Sequence, residues 1–207
     1  MIDVTEEVNQ LADAIHAARA SRERVMVAVA GAPGSGKSTF AAELHRRLSL
    51  QKVRCAAIPM DGFHLDNAVL EARGLKLRKG APETFDSLGF LNAMRRLREG
   101  DEVVLPIFDR TRDIAIAGAV VVEPSCQVVI VEGNYLLFNE RPWLALAPLW
   151  DISARLDVPV AELRARLIQR WLSHGLSRTA ATQRAERNDI PNALRVVEKS
   201  LEADFIL

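Results

Sequence analysis

The run Gly31-Ala32-Pro33-Gly34-Ser35-Gly36-Lys37-Ser38 constrains this chain more than any other feature. It matches G-x-x-x-x-G-K-[ST] in full. Its flanks also fit, because residues 25–30 (VMVAVA) read as a short buried strand and residues 40–48 return to helical period. In such a loop the glycines let backbone N–H groups turn inward around phosphate oxygens, and the helix that begins near Lys37 adds the positive end of its dipole. Lys37 supplies a mobile charge for the β- and γ-phosphates, the Ser38 hydroxyl is a ligand for Mg²⁺, and Thr39 continues the phosphate-facing turn. ATP and Mg²⁺ are therefore the expected ligands. The loop by itself does not separate kinases from GTPases, ATPases or motors.

The 207 residues, 49% of them hydrophobic, suit one compact α/β domain spanning residues 1–207. Formal net charge is zero, with 27 basic and 27 acidic side chains, so no global basic field draws the chain to nucleic acid or anionic lipid. The expected partner is a small-molecule acceptor, and nothing indicates an oligomer. The start, Met1-Ile2-Asp3-Val4-Thr5-Glu6-Glu7, lacks a basic region followed by an apolar stretch, and no apolar run is long enough to span a bilayer. Those features predict a cytoplasmic protein without membrane insertion. Cys55 and Cys126 sit in apolar runs and read as buried, reduced thiols.

Leu11 and Ile15 at helical spacing predict an opening amphipathic helix, with Thr5 and the acidic residues after it as its start signal. A second strand is expected over residues 53–60, ending at Asp61. Residues 62–84, rich in charge and punctuated by Gly62, Gly74, Gly80 and Pro82, read as a long loop with at most a short helix, and loops of that length are usually functional. A helix over 85–97 leads to a β-hairpin at about 102–123 with the charged tip Asp109-Arg110-Thr111-Arg112-Asp113. Further strands are predicted at 128–131, ending in Glu132-Gly133, and at 152–158. A helix over 161–174, a polar arginine-rich stretch to about Asn188, a terminal helix and the apolar end Phe205-Ile206-Leu207 complete the chain. Alternating strands and helices indicate a mostly parallel sheet covered on both faces, with ligands at the carboxyl ends of the strands. Gly31, Asp61 and Glu132 each follow a predicted strand, so three segments should meet in one crevice.

Phosphoryl transfer to a hydroxyl needs a carboxylate that accepts and orients its proton, and Asp61 is the candidate. Glu132 closes an apolar run where a carboxylate is costly unless it faces a metal, its waters or the ligand; an outer-sphere Mg²⁺ role suits it. Arg166 and Arg170 share a helix face, and Arg178, Arg184 and Arg187 follow in the polar stretch, so a lid at about 170–190 is predicted to close arginines over the phosphates. His64, Asp86, Arg110 and Arg112 fall on the expected acceptor side. Trp143, Trp150 and Trp171 interleave with leucines and read as core.

Together with the phosphate loop, the segments Met60-Asp61-Gly62-Phe63-His64, Thr84-Phe85-Asp86, Pro106-Ile107-Phe108-Asp109 and Val131-Glu132-Gly133-Asn134-Tyr135 resemble the phosphoribulokinase/uridine kinase family across nearly the whole chain. The likeness is strongest to the bacterial branch described as fructose transport system kinases, which share the Met-Asp-Gly-Phe-His segment and an Asn-Asp-x-Pro-Asn segment, here Asn188-Asp189-Ile190-Pro191-Asn192. The resemblance implies a three-layer α/β/α fold with a five-stranded parallel sheet, a hairpin insertion on the acceptor side and a helical lid. It implies Asp61 as base, the acceptor held by Asp86, Phe108, Asp109, Asn134 and Tyr135, and Asn188 and Asn192 bordering the adenine. Two departures bear on the acceptor. Uridine kinases carry a histidine in the hairpin where this chain has Arg110-Thr111-Arg112-Asp113, and their Arg-Gly-Arg lid motif appears here as His174-Gly175-Leu176, with Arg178 as a substitute lid arginine.

The reading that results is ATP-dependent phosphorylation of a sugar hydroxyl, with fructose as the candidate sugar. A nucleoside or pantothenate-like acceptor is the alternative within the same class. A nucleotide-gated regulatory or transport-accessory GTPase is the alternative of another class, and it calls for a guanine-reading Asn-Lys-x-Asp segment that the sequence does not contain.

Overall fold

A computed structural model describes residues 5–207. The first four residues, on which part of the leader-free reading rests, lie outside the described residues. In chain order the elements are α1 (Thr5–Arg19), β1 (Val25–Gly31), α2 (Lys37–Leu50), β2 (Cys55–Pro59), α3 (Asn67–Ala72), α4 (Ser87–Glu99), β3 (Val103–Asp109), β4 (Ile114–Val122), β5 (Val128–Gly133), β6 (Ile152–Leu156), α5 (Val160–Ser173), α6 (Arg178–Arg184), α7 (Ile190–Lys199) and β7 (Phe205–Ile206). Strands β2-β5-β1-β6-β7 form one parallel sheet, and β3 and β4 form a separate antiparallel hairpin. The fold is the three-layer α/β/α arrangement that the resemblance implied.

All seven residues of β1 and all six of β5 are buried, which is why both read as unbroken apolar runs rather than as alternating ones. Alternation decides instead which face each residue serves. Val25, Val27 and Val29 pack with Val8, Leu11 and Ile15 of α1 and with Phe40, Leu44 and Leu48 of α2. Met26, Ala28 and Ala30 point the other way, toward Phe90 and Met94 of α4, Leu163 and Leu167 of α5, and Val196 of α7. Each such fully buried aliphatic or aromatic side chain contributes roughly 1.5–3 kcal/mol relative to exposure.

Register places the site. Val29 is opposite Glu132, which is opposite Pro59, so β1, β5 and β2 end side by side. The second strand stops at Pro59, short of the expected Met60, and Asp61 sits inside the 3₁₀ turn Met60–Phe63. Gly62 is required there, because a Cβ at that position would lie 2.3 Å from the Pro106 carbonyl oxygen of β3. That contact lets the hairpin lie directly against the turn. At the far end of the sheet Arg24, 9% exposed, donates to the carbonyls of Leu97, Asp101, Glu123, Pro124 and Cys126, which fastens the hairpin base to α4 and satisfies a buried cation without a carboxylate.

The stretch after Gly175 is helical, as the resemblance implied for the lid. Ser177 caps α6 by accepting from Ala180 N, a π-helical turn follows at Ala185–Asp189, and α7 begins at Ile190 with Pro191 in its first turn. The apolar end of the chain supplies the fifth strand, with Phe205 opposite Ala154. Among the described residues no helix is long and apolar enough to cross a membrane. Both cysteines are free thiols; Cys126 is buried and Cys55 is partly exposed.

Candidate active site

A cleft of about 760 Å³ opens where β1, β5 and β2 end. Its nucleotide end is a backbone construction. Gly34 and Gly36 hold φ of 84° and 96°, values open to glycine and strained for other residues, and Gly36 is the N-cap of α2. No side chain caps that helix, so its first amide groups face the cleft without an internal partner. These open donors, with the dipole behind them, make an anion site for phosphates. Ser35 Oγ is buried here and has no protein partner.

Lys37, half-buried, lines the cleft floor. Burial pulls its ammonium below the ordinary lysine range; Glu132 and Asp61 oppose that shift, while Arg110 and Arg170 add to it. Glu132, 8% exposed, accepts a 3.0 Å hydrogen bond from Ser38 Oγ. Burial pushes its carboxyl above the ordinary range against the pull of Lys37. A hydroxyl and a buried carboxylate side by side are hard oxygen donors of the kind Mg²⁺ selects. Among the described residues no cluster of three or more His, Cys, Asp or Glu forms a cage, and Mg²⁺ with a nucleotide normally takes only one or two protein ligands, keeping waters and phosphates for the rest. Ser38 and Glu132 therefore fit the ion that the loop implies.

The other end, where an acceptor is expected, is built from side chains of several segments. Arg110 at the hairpin tip donates through Nη2 to Asp61 Oδ2 at 2.8 Å. His64 Nδ1–H donates to the Asp61 carbonyl at 2.8 Å, which fixes the tautomer, and burial lowers the imidazole below its usual range and keeps it neutral. The His64 ring packs at a tilt against Phe85 and Phe108, with ring centres 4.0 and 4.6 Å away. Lys79, whose side chain is only 10% exposed, bonds Asp113 and Asn67 and lies 4.9 Å from the Phe108 ring centre. Its carbonyl accepts from Asn188 Nδ2 at 2.8 Å, and the next carbonyl, Gly80, accepts from Tyr135 Oη at 2.6 Å. The loop is thus clamped from the lid side and from the end of β5.

Of the residues singled out from sequence, Pro33, Gly34, Gly36, Lys37, Ser38, Thr39, Asp61, His64, Phe108, Arg110, Asn134, Arg166, Arg170 and Asn192 line the cleft. Others are placed differently. Gly31 ends β1 and Ala32 is buried behind the loop. Asp86 is exposed and caps α4, accepting from Gly89 N at 2.9 Å. Asp109 caps the hairpin tip, accepting from Thr111 N and Arg112 N and pairing with the Arg112 guanidinium at 2.7 Å, so neither Asp109 nor Arg112 reaches the cleft wall. Arg178 is exposed in the first turn of α6, away from the wall. Tyr135 is fully buried, and Asn188 holds the Lys79 carbonyl beneath the wall. Arg166 braces the phosphate loop, donating through Nη1 to the carbonyls of Gly34 and Ser35 at 3.2 and 3.1 Å.

The wall also contains residues that sequence reasoning gave no role there: Lys76, Lys79, Phe85, Asp113 and Asp189. Trp143, Trp150 and Trp171 all pack with the core, as expected. Trp171 in addition lines the cleft, with the Arg184 guanidinium 5.2 Å from the ring centre and its indole N–H donated to Asp189. The available signal for Trp171 was its neighbour, since it follows Arg170 directly on the cleft-facing end of α5.

The chain matches the phosphoribulokinase / uridine kinase family over residues 26–206. A solved structure from Silicibacter sp. TM1040, provisionally described as a fructose transport system kinase, is 50% identical and superposes with a TM-score of 0.91, covering 97% of this chain and 98% of that one. The uncharacterized protein YggC of Escherichia coli is 39% identical over 189 residues, 90% of this chain and 78% of YggC. A Schizosaccharomyces pombe protein provisionally described as a uridine kinase is 36% identical over 201 residues, 90% of this chain and 83% of that protein.

Proposed function

Because this chain belongs to the phosphoribulokinase/uridine kinase family of P-loop kinases, we propose that it transfers the γ-phosphoryl group of ATP to a hydroxyl of a sugar-like small molecule, with fructose as the first candidate. The observation that carries the reading is the meeting of Asp61 with Lys37 and the phosphate loop in one cleft. A carboxylate that shares the cleft with the phosphate loop can receive an acceptor's proton while the loop holds the donor.

In this reading Asp61 accepts the hydroxyl proton and orients the attacking oxygen, and Arg110 and the His64 contact hold the 3₁₀ turn that carries it. Lys37 and Arg170 neutralise charge that spreads over the transferring group. Ser38 and Glu132 would hold Mg²⁺, which supplies charge neutralisation at the phosphate oxygens when bound. Trp171 and Arg184 close the wall and exclude water that would otherwise compete with the acceptor. The work sits in the cytoplasm in this proposal.

A nucleoside acceptor is the second reading, favoured by the 36% identity to the Schizosaccharomyces pombe relative. ADP release with fructose, uridine and pantothenate, measured on the parent protein and on Asp61→Asn, separates the possibilities. The expected result is stimulation by the sugar and a fall of about 10²–10⁴-fold in kcat for the variant with ATP binding retained. Wild-type turnover by Asp61→Asn removes the assignment, and stimulation by uridine alone moves the proposal to the second reading.

A further inference from the structure

We infer that the hydroxyl acceptor also carries an anionic group, a carboxylate or a phosphate ester, taken by the free edge of Arg110 and by Lys76 while Asp61 faces the hydroxyl. This rests on the phosphotransfer reading above and adds the charge of the substrate to it.

The whole chain is electrically neutral, yet seven lysines and arginines line the cleft against three aspartates. Part of that excess belongs to the phosphate loop and the lid, where a triphosphate accounts for it. At the acceptor end, Lys79 is consumed within the wall by Asp113 and Asn67. Arg110 is not. Its side chain is 54% exposed, and the contact with Asp61 uses one nitrogen. A guanidinium has five N–H donors in a planar fork, so the remaining edge matches the paired oxygens of a carboxylate or phosphate. Lys76 also lines the cleft and is tied only by a 3.2 Å pair to the exposed Glu71, a contact weak enough to be exchanged for a substrate anion.

The rest of the wall suits this division of labour. His64 has its Nδ1 proton committed to a carbonyl and is held neutral by burial, so it does not compete for the anion. Phe108, only half-buried beside it, offers apolar surface for a carbon skeleton.

Matched acceptors test this: fructose against fructose 1-phosphate and fructose 6-phosphate, and glycerol against glycerate, each with ATP and Mg²⁺ and with ADP release as the readout. A charged member should be used with kcat/KM at least about tenfold above its neutral partner, and the two series report whether phosphate or carboxylate is read. Arg110→Gln should collapse that ratio through the acceptor KM and leave the KM for ATP in place. Equal or better use of the neutral partners overturns the inference and leaves phosphotransfer standing. An unchanged ratio in Arg110→Gln overturns the role given to that residue. Stimulation by no member of either series also overturns the inference, and if basal ATP turnover is then the same in Asp61→Asn, the phosphotransfer reading falls with it.

Discussion

In the proposed reading, the two ends of the cleft hold their ligands by different means. The nucleotide end is eight consecutive residues whose work is done by backbone amides, two left-handed glycines and an uncapped helix start. Beyond Lys37 it needs little from side chains, and Arg166 merely braces it through two carbonyls. The acceptor end has no such continuity. It draws Asp61 from the turn after β2, Arg110 and Asp113 from the hairpin tip, Lys76 and Lys79 from the long loop, and its clamps from Tyr135 and Asn188. A backbone site is fixed by conformation and serves one kind of ligand group, the phosphate chain. A side-chain site is held by exchangeable pairs, and on the proposal above a change at Arg110 alters its specificity without disturbing the first.

The sharpest way to break this contrast is to separate the hairpin from the turn. Gly62→Ala places a Cβ 2.3 Å from the Pro106 oxygen, a backbone atom that cannot swing aside. We expect kcat/KM for the acceptor to fall by about 10²-fold as Asp61 is displaced, while the Kd for ATP changes little. Equal losses at both ends would show that the two are one mechanical unit.

Glu132→Gln probes the boundary between the ends. It removes a carboxylate beside Ser38, and turnover should fall about 10–100-fold with a higher Mg²⁺ requirement. Stability should move the other way. Burial raises the Glu132 pKa in the folded protein, so the native state holds that proton to higher pH than the unfolded chain does. Stability is therefore lost as pH rises from the ordinary carboxylate range through the raised value. The glutamine variant avoids that loss, and denaturant titration should find it more stable at neutral pH by on the order of 1 kcal/mol, the gap closing as pH falls toward the ordinary carboxylate range. A variant less stable at neutral pH would mean that the Lys37 pairing outweighs the cost of burial.

The smallest effect is expected at the clamp. Asn188→Ala removes one buried hydrogen bond to the Lys79 carbonyl, worth about 1 kcal/mol, so the acceptor KM should rise about fivefold with kcat for the saturated enzyme little changed. A larger effect on the KM for ATP would instead support the placement beside adenine that resemblance suggested for Asn188.

Much of the architecture could be read in advance, because buried parallel strands announce themselves as apolar runs and helices as periodic ones. The opening helix, β1, α2, the hairpin and β5 all fall where periodicity put them. The less legible elements have local causes. Strand β2 stops at Pro59, and the two-residue β7 is too short for any periodicity, so it exists only because β6 offers a free edge. The arginine-rich stretch after Gly175 was expected to be helical from the resemblance alone, because short helices with exposed charged faces have little apolar pattern to betray them.

For the site, the sequence by itself determined the phosphate loop, since its backbone conformation is dictated by glycines at set spacing between one strand and one helix. It also placed Asp61 and Glu132 near the ends of strands. What only the tertiary structure decided is which side chains face one another across the cleft: that Arg110 meets Asp61, that Lys79 is spent on Asp113, that Asp86 and Asp109 turn back to cap their own segments, and that Trp171 borders the cleft. Those pairings join residues up to dozens of positions apart, whereas Asp86 and Asp109 take local caps instead. Only the packed arrangement of sheet, hairpin and lid selects among them.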